Sequence, residues 1–165
     1  MTTNTQDKTT RQVLEAIRKR SFCTLATTSP AHRPHVAGVL YQAVGSTLYV
    51  STLRGSRKAR NIAANPNVGV CVPVRRLPFG PPSSVQFQAV ADILALDDPH
   101  LLRLVEDGAL PAITKHGELT EPDGCFLRVT PVSRLNTYGV GMPLLTFLRD
   151  PLHALGTVEL SGLKS

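Results

Sequence analysis

Three β-prone runs follow one another early in this chain, and the connections between them are too short to be crossovers. Phe22–Thr28 and His35–Val44 are separated by Ser29-Pro30-Ala31-His32-Arg33-Pro34, a turn with two prolines. Leu48–Leu53 follows after Gly45-Ser46, a tight hairpin turn. Parallel neighbours need a connection of about a dozen residues or more. The three runs are therefore expected to form an antiparallel meander.

The rest of the chain extends that pattern. Thr10–Arg20 reads as a helix whose Val13, Leu14 and Ile17 share one buried face. A second helix, Ser56–Asn65, stops at Asn65-Pro66-Asn67. Val68–Val74 is a fourth strand, Arg75–Ser84 a Pro/Gly-rich loop and Val85–Leu96 a long fifth strand. Asp97-Asp98-Pro99 opens a helix reaching about Gly108, since proline suits an early helical position. After a broken connection, Leu110–Gly124, a sixth strand runs over Cys125–Pro131 and continues past a bend through Val132–Tyr138. Thr157–Leu160 is a last short strand. The pattern predicts a fold that is mainly β with peripheral helices, a six-stranded antiparallel β-barrel. Residues 1–10 read as a disordered lead and 11–165 as a single domain. A barrel this small is filled by its own side chains, so a large flat ligand must sit outside, against a neighbouring subunit.

The formal net charge is +6 and apolar residues make up 42% of the chain. No apolar run approaches the roughly 20 residues of a membrane span, and the polar start MTTNTQDKTTRQ lacks a signal-peptide core. A cytoplasmic location without membrane contact is expected. Cys23, Cys71 and Cys125 are isolated, which argues against a disulfide framework and against a cysteine zinc site. Trp is absent and aromatics are only 5%, so nucleic-acid binding by base stacking is not expected despite the basic charge.

The cations are not evenly spread. Arg54, Arg57, Lys58, Arg60, Arg75 and Arg76 fall in one acid-free stretch. Arg57 and Lys58 open the second helix, where the helix dipole favours negative charge. One reading is a plain cap at Ser56 with a solvated basic face. The other is an anion cradle: N–H groups at a helix start, the hydroxyls of Ser51 and Thr52, and two fixed cations suit a phosphate.

The order of meander, GSRK helix, NP stop and two further strands resembles the flavin-binding split-barrel family, which includes pyridoxamine-phosphate oxidases and the actinobacterial flavin and deazaflavin oxidoreductases. The similarity is carried by FCTLATTSPAHRPHVAGVLYQAVGSTLYVSTLRGSRKARNIAANPNVGVCV and SSVQFQAVADIL, about Arg11 to Leu96. It implies a split barrel in which Ser51 and Thr52 donate hydroxyl hydrogen bonds to a cofactor phosphate. Arg57 and Lys58 would add charge-assisted bonds, and Asn61 would brace that pair or cap the pocket. Val36, Ala37, Gly38 and Val39 would run along the flavin ring through their backbone groups, with Gly38 allowing close approach. Asn136–Ser165 lacks the arginine–histidine motif with which pyridoxamine-phosphate oxidases grip substrate, so vitamin B6 oxidation is not expected.

The resemblance implies a homodimer that holds FMN, or alternatively the deazaflavin F420, in a cleft between subunits. It further implies hydride transfer to or from a small organic substrate. The alternative is a non-catalytic protein of the same fold that stores or senses flavin, F420 or haem. No catalytic acid or base is assigned. His35, Tyr41 and Tyr138 are the nearest candidates for proton delivery, but His35 reads more readily as a barrel-rim residue and the tyrosines as packing groups with a satisfied hydroxyl. No metal site is expected.

Overall fold

The structure, a computed structural model, describes residues 2–74, 83–140 and 142–160. In chain order it places α1 (Thr2–Arg18), β1 (Phe22–Thr28), β2 (Pro34–Leu40), β3 (Gln42–Val44), β4 (Thr47–Leu53) and α2 (Arg57–Ala64). Then come β5 (Asn67–Pro73), β6 (Ser84–Leu94), α3 (Pro99–Glu106), β7 (Gly124–Pro131), β8 (Arg134–Tyr138), α4 (Leu144–Arg149) and β9 (Leu155–Glu159). The strands are hydrogen-bonded in the order β2-β1-β5-β6-β7-β4-β3, and every described pairing is antiparallel.

The two ends of that order, β2 and β3, are consecutive in the chain and separated only by Tyr41. Counted as one bent strand they give the expected six-stranded ring, and the sheet curls until its ends meet. β8 and β9 lie outside the ring, with β8 paired to β6 and β9 to β8. β8 is the expected continuation of the sixth strand past its bend, here a separate strand, and β9 overlaps the expected last short strand.

Tyr41 explains why the anticipated strand His35–Val44 breaks. Its N–H donates to the Ser21 carbonyl at 2.8 Å. Its hydroxyl donates to the Ile17 carbonyl at 2.7 Å, and the side chain is buried. Both bonds draw the backbone at this position toward the end of α1. The first half of the strand then pairs with β1 and the second half with β4. The hairpin between β3 and β4 turns at Gly45, whose φ of 62° suits a residue without a Cβ.

α1 begins at Thr2, within the stretch read as a lead, and runs to Arg18. The positions that anchor it are the expected Val13, Leu14 and Ile17, all in its C-terminal half. They join the barrel core with Cys23 and Leu25 of β1, Val68, Val70 and Val72 of β5, and Val85, Phe87 and Ala89 of β6. Along β6, buried and open positions alternate from Ser84 to Asp92, as a sheet with one face inward requires. Fully burying each larger apolar side chain contributes about 1.5–3 kcal/mol. A second cluster lies outside the ring: Leu101 of α3 covers Tyr49, Leu94 and Phe126, joined by Leu110 and Ile113. No described helix is long and apolar enough to cross a membrane. Arg75, Arg76 and most of the expected proline loop lie in 75–82, outside the described residues.

Candidate functional site

The site grows out of the end of β4. After Leu53 the chain turns through Arg54 and Gly55, and the Ser56 N–H closes the turn on the Leu53 carbonyl at 3.1 Å. Ser56 has extended backbone (φ −67°, ψ 149°) and caps α2, its Oγ accepting the Ala59 N–H at 3.3 Å. The Thr52 hydroxyl lies 3.4 Å from the Ser56 hydroxyl. Arg60 reaches back along the helix and donates to the Gly55 carbonyl at 2.8 Å. The N–H groups of Arg57 and Lys58 open the helix where no intrahelical acceptor exists.

Ser51, Thr52, Leu53, Ser56 and Lys58 line a cleft of about 360 Å³. Four of these five present a hydroxyl or an ammonium group. Among the described residues Lys58 forms no ion pair with any carboxylate. The remaining lining comes from the connection before β7, chiefly His116, Glu118 and Glu121. Leu53 pairs with Gly124, which brings that connection beside the end of β4. The Arg54 N–H donates to the Asp123 carbonyl at 2.9 Å, and the Gly55 N–H to the Asp123 carboxylate at 3.2 Å. The Glu118 carboxylate accepts the His116 N–H at 2.7 Å. Hydrogen bonds from its own N–H and from that of His116 hold Glu118 below the ordinary carboxylate range, against some desolvation.

The barrel opens next to this cleft. Continuing the β3–β4 register past Gln42↔Tyr49 would set Leu40 opposite Ser51 and Val39 opposite Thr52. Instead β2 pairs with β1 alone, and the strands part beyond Tyr41. The split leaves the free edge of β2, with Val36, Ala37, Gly38 and Val39, flanking the end of β4. These four residues alternate: Val36 and Gly38 are exposed, Ala37 is half-buried and Val39 is buried.

Ser51, Thr52 and Lys58 are thus gathered in one cleft beside the predicted β2 edge. Two expectations change. Asn61 neither braces the two cations nor caps the pocket: it is buried, and its Nδ2 donates to Thr27 Oγ1 at 2.9 Å, fastening α2 to β1. One turn beyond the cleft, it points into the protein. Arg57 is exposed and does not line the cleft, because consecutive helical residues point about 100° apart. A Cβ at Gly38 would meet the Phe22 ring at 2.9 Å.

Tyr41 is committed to the core. Tyr138 stacks edge-on against Phe147, with ring centroids 5.2 Å apart. Sequence reasoning missed Ser56 as a lining residue, having weighed it only as a cap. It also missed His116, Glu118 and Glu121. Their connection carries no motif, and only strand pairing brings it to the cleft.

A curled antiparallel barrel, parted between two strands and carrying a cleft lined by hydroxyls, a lysine and two glutamates at a helix opening, defines a split-barrel protein. The chain belongs to the pyridoxamine 5'-phosphate oxidase family, whose sequence profile matches residues 9–132. Among curated proteins no sequence matches. Solved structures share the fold. The haem storage protein HutZ from Vibrio cholerae is 21% identical with a TM-score of 0.64, over 77% of this chain and 92% of its own. An FAD-binding protein from Mesorhizobium loti is 21% identical with a TM-score of 0.59, over 73% and 88%. An F420 reductase is 23% identical with a TM-score of 0.51, over 72% and 92%.

Proposed function

We propose that this protein is a flavin-dependent oxidoreductase that holds FMN, with the phosphate in the cleft at the opening of α2 and the ring along the split between β2 and β4. The observation that carries this reading is the convergence of Ser51, Thr52, Ser56 and Lys58 on one cleft beside the free edge of β2. Hydroxyls, a lysine ammonium and helix-start N–H groups form a donor set suited to a phosphate monoester. Structural neighbours named for FAD and F420 binding support the same class.

The flavin ring supplies the hydride chemistry when bound. The chain's own part is to orient and neutralise. Lys58 balances the phosphate charge. Ser51 and Thr52 donate hydrogen bonds from the end of β4. The β2 edge offers backbone groups to the ring. The substrate is a small organic molecule that reaches the ring through the cleft.

The proposal includes a homodimer. The outward face of β2, β1 and β5 presents Val36, Gly38, Leu40, Phe22, Thr24, Ala26, Gly69 and Cys71, with no charged side chain. Val36 is 61% exposed, Leu40 64% and Phe22 46%. Beside this ridge lies a groove of about 350 Å³ floored by Ala26, Gly69 and Cys71 and rimmed by Gln86 and Gln88. A ridge of large residues next to a trough of small ones suits the self-complementary contact of a twofold dimer. It would bring a second copy against the edge where the ring is placed.

The test is the visible spectrum of the purified protein, followed by fluorescence titration with FMN, F420 and riboflavin. Bound flavin, and FMN held more tightly than riboflavin, is expected. A haem Soret band, or preference for F420 over FMN, would overturn the FMN assignment.

A further inference from the structure

We infer that Arg60 and Asp123 are positioning residues for the proposed phosphate: together they clamp the backbone of Gly55 and so fix the turn from which Ser56 and Lys58 reach the cleft. This rests on the phosphate placement proposed above. The Gly55 N–H donates to the Asp123 carboxylate at 3.2 Å. The Gly55 carbonyl accepts from the Arg60 guanidinium at 2.8 Å. One glycine is thus held on both sides by groups of opposite charge, one from α2 and one from the connection before β7.

Neither side chain lines the cleft. Both residues are exposed, and among the described residues neither forms an ion pair. Their charges act instead on a neutral backbone, where a charge-assisted bond is about twice as strong as a neutral one. Each is anchored at its own backbone. The Arg60 N–H donates to the Ser56 carbonyl at 3.0 Å, and the Asp123 carbonyl accepts the Arg54 N–H at 2.9 Å. A Cβ on Gly55 would lie 3.3 Å from the Asp123 carboxylate, so the turn is closely fitted.

Gly55 directly precedes the residues that carry the site. The Ser56 hydroxyl, 3.4 Å from that of Thr52, and the Lys58 side chain both start from this turn. A group that binds a ligand must be held within about 0.5 Å of its working position. Releasing either side of Gly55 lets the turn shift, and the hydroxyl and the ammonium shift with it. The clamp has a signature that charge alone lacks. Acting only through their fields, Arg60 would favour an anion and Asp123 would oppose it, so their removal would have opposite effects. Acting through Gly55, removal of either weakens binding.

The wild type and the variants Arg60→Met, Asp123→Ala and Asp123→Asn are titrated with FMN and with riboflavin, which lacks the phosphate. Both positions are exposed, so all three variants should fold. Arg60→Met and Asp123→Ala are each expected to lower the preference for FMN over riboflavin by about fivefold to tenfold, with riboflavin affinity unchanged. Asp123→Asn removes the charge but keeps an acceptor for the Gly55 N–H, and should stay within about twofold of the wild type. Tighter FMN binding by Asp123→Ala, or a preference left unchanged by either Arg60→Met or Asp123→Ala, overturns the inference while leaving the phosphate site in place. FMN bound no better than riboflavin by the wild type removes the phosphate site itself, and this inference with it.

Discussion

The Asn61 carboxamide donates to the Thr27 hydroxyl at 2.9 Å, and both side chains are buried between α2 and β1. This bond fixes the helix whose first turn lines the cleft. Removing the amide leaves the Thr27 hydroxyl buried without its donor. Asn61→Ala is expected to cost about 1–3 kcal/mol of stability, measured by urea unfolding. Affinity for FMN in the folded fraction should stay near wild type. Lost affinity with unchanged stability would show that Asn61 faces the ligand.

The two adjacent cations of α2 should differ. Lys58 lines the cleft and Arg57 does not. Lys58→Ala is expected to weaken FMN binding by about 1.5–3 kcal/mol, the scale of a charge-assisted hydrogen bond. Arg57→Ala should cost less than about 1 kcal/mol, as befits an exposed charge. Titration of both variants decides this, and equal losses would place Arg57 on the phosphate as well.

Val36 supplies a test of the proposed twofold contact. A carboxylate at this exposed position leaves the protomer's own core untouched. Val36→Glu should therefore fold normally and sediment as a monomer at concentrations where the wild type sediments as a dimer. If both sediment alike, the β2–β1–β5 face is not the contact.

Stability should fall on the alkaline side. Burial, with a smaller contribution from Cys71, pushes the Cys23 thiol from 9.0 up to about 12. Burial also raises the Tyr41 hydroxyl, reinforced by Cys23 and partly opposed by Arg20. The folded chain keeps both protons at a pH where the unfolded chain releases them. The stabilisation is complete below the unfolded values and is lost as pH rises through the folded ones, for Cys23 between 9.0 and about 12. Melting temperature followed across the alkaline range should drop in the wild type and drop less steeply in Cys23→Ala. Parallel curves would show that Cys23 does not contribute.

Local chemistry determined much of this protein from sequence alone. The short turns at Ser29–Pro34 and Gly45-Ser46 left no room for parallel pairing. Asp98 and Pro99 set the start of α3, where the Asp98 carboxylate accepts the His100 and Leu101 N–H groups. Ser56 and the Asn65-Pro66 pair bounded α2. Alternation along β6 separated inside from outside before any partner strand was known. The helix-start cations, the neighbouring hydroxyls and the split-barrel resemblance were likewise legible, because each lies within one contiguous stretch.

What tertiary structure decided involves residues far apart in the chain. Tyr41 breaks its strand because its hydroxyl meets the Ile17 carbonyl. Asn61 turns away from the cleft because Thr27 waits across the helix–strand contact. Glu118 and Glu121 reach the cleft only because β7 pairs with β4 and Asp123 fastens to Gly55. Periodicity and capping act over a few residues, so they fix elements and their faces. The partners of a side chain depend on which distant strands meet, and that follows from closing the barrel.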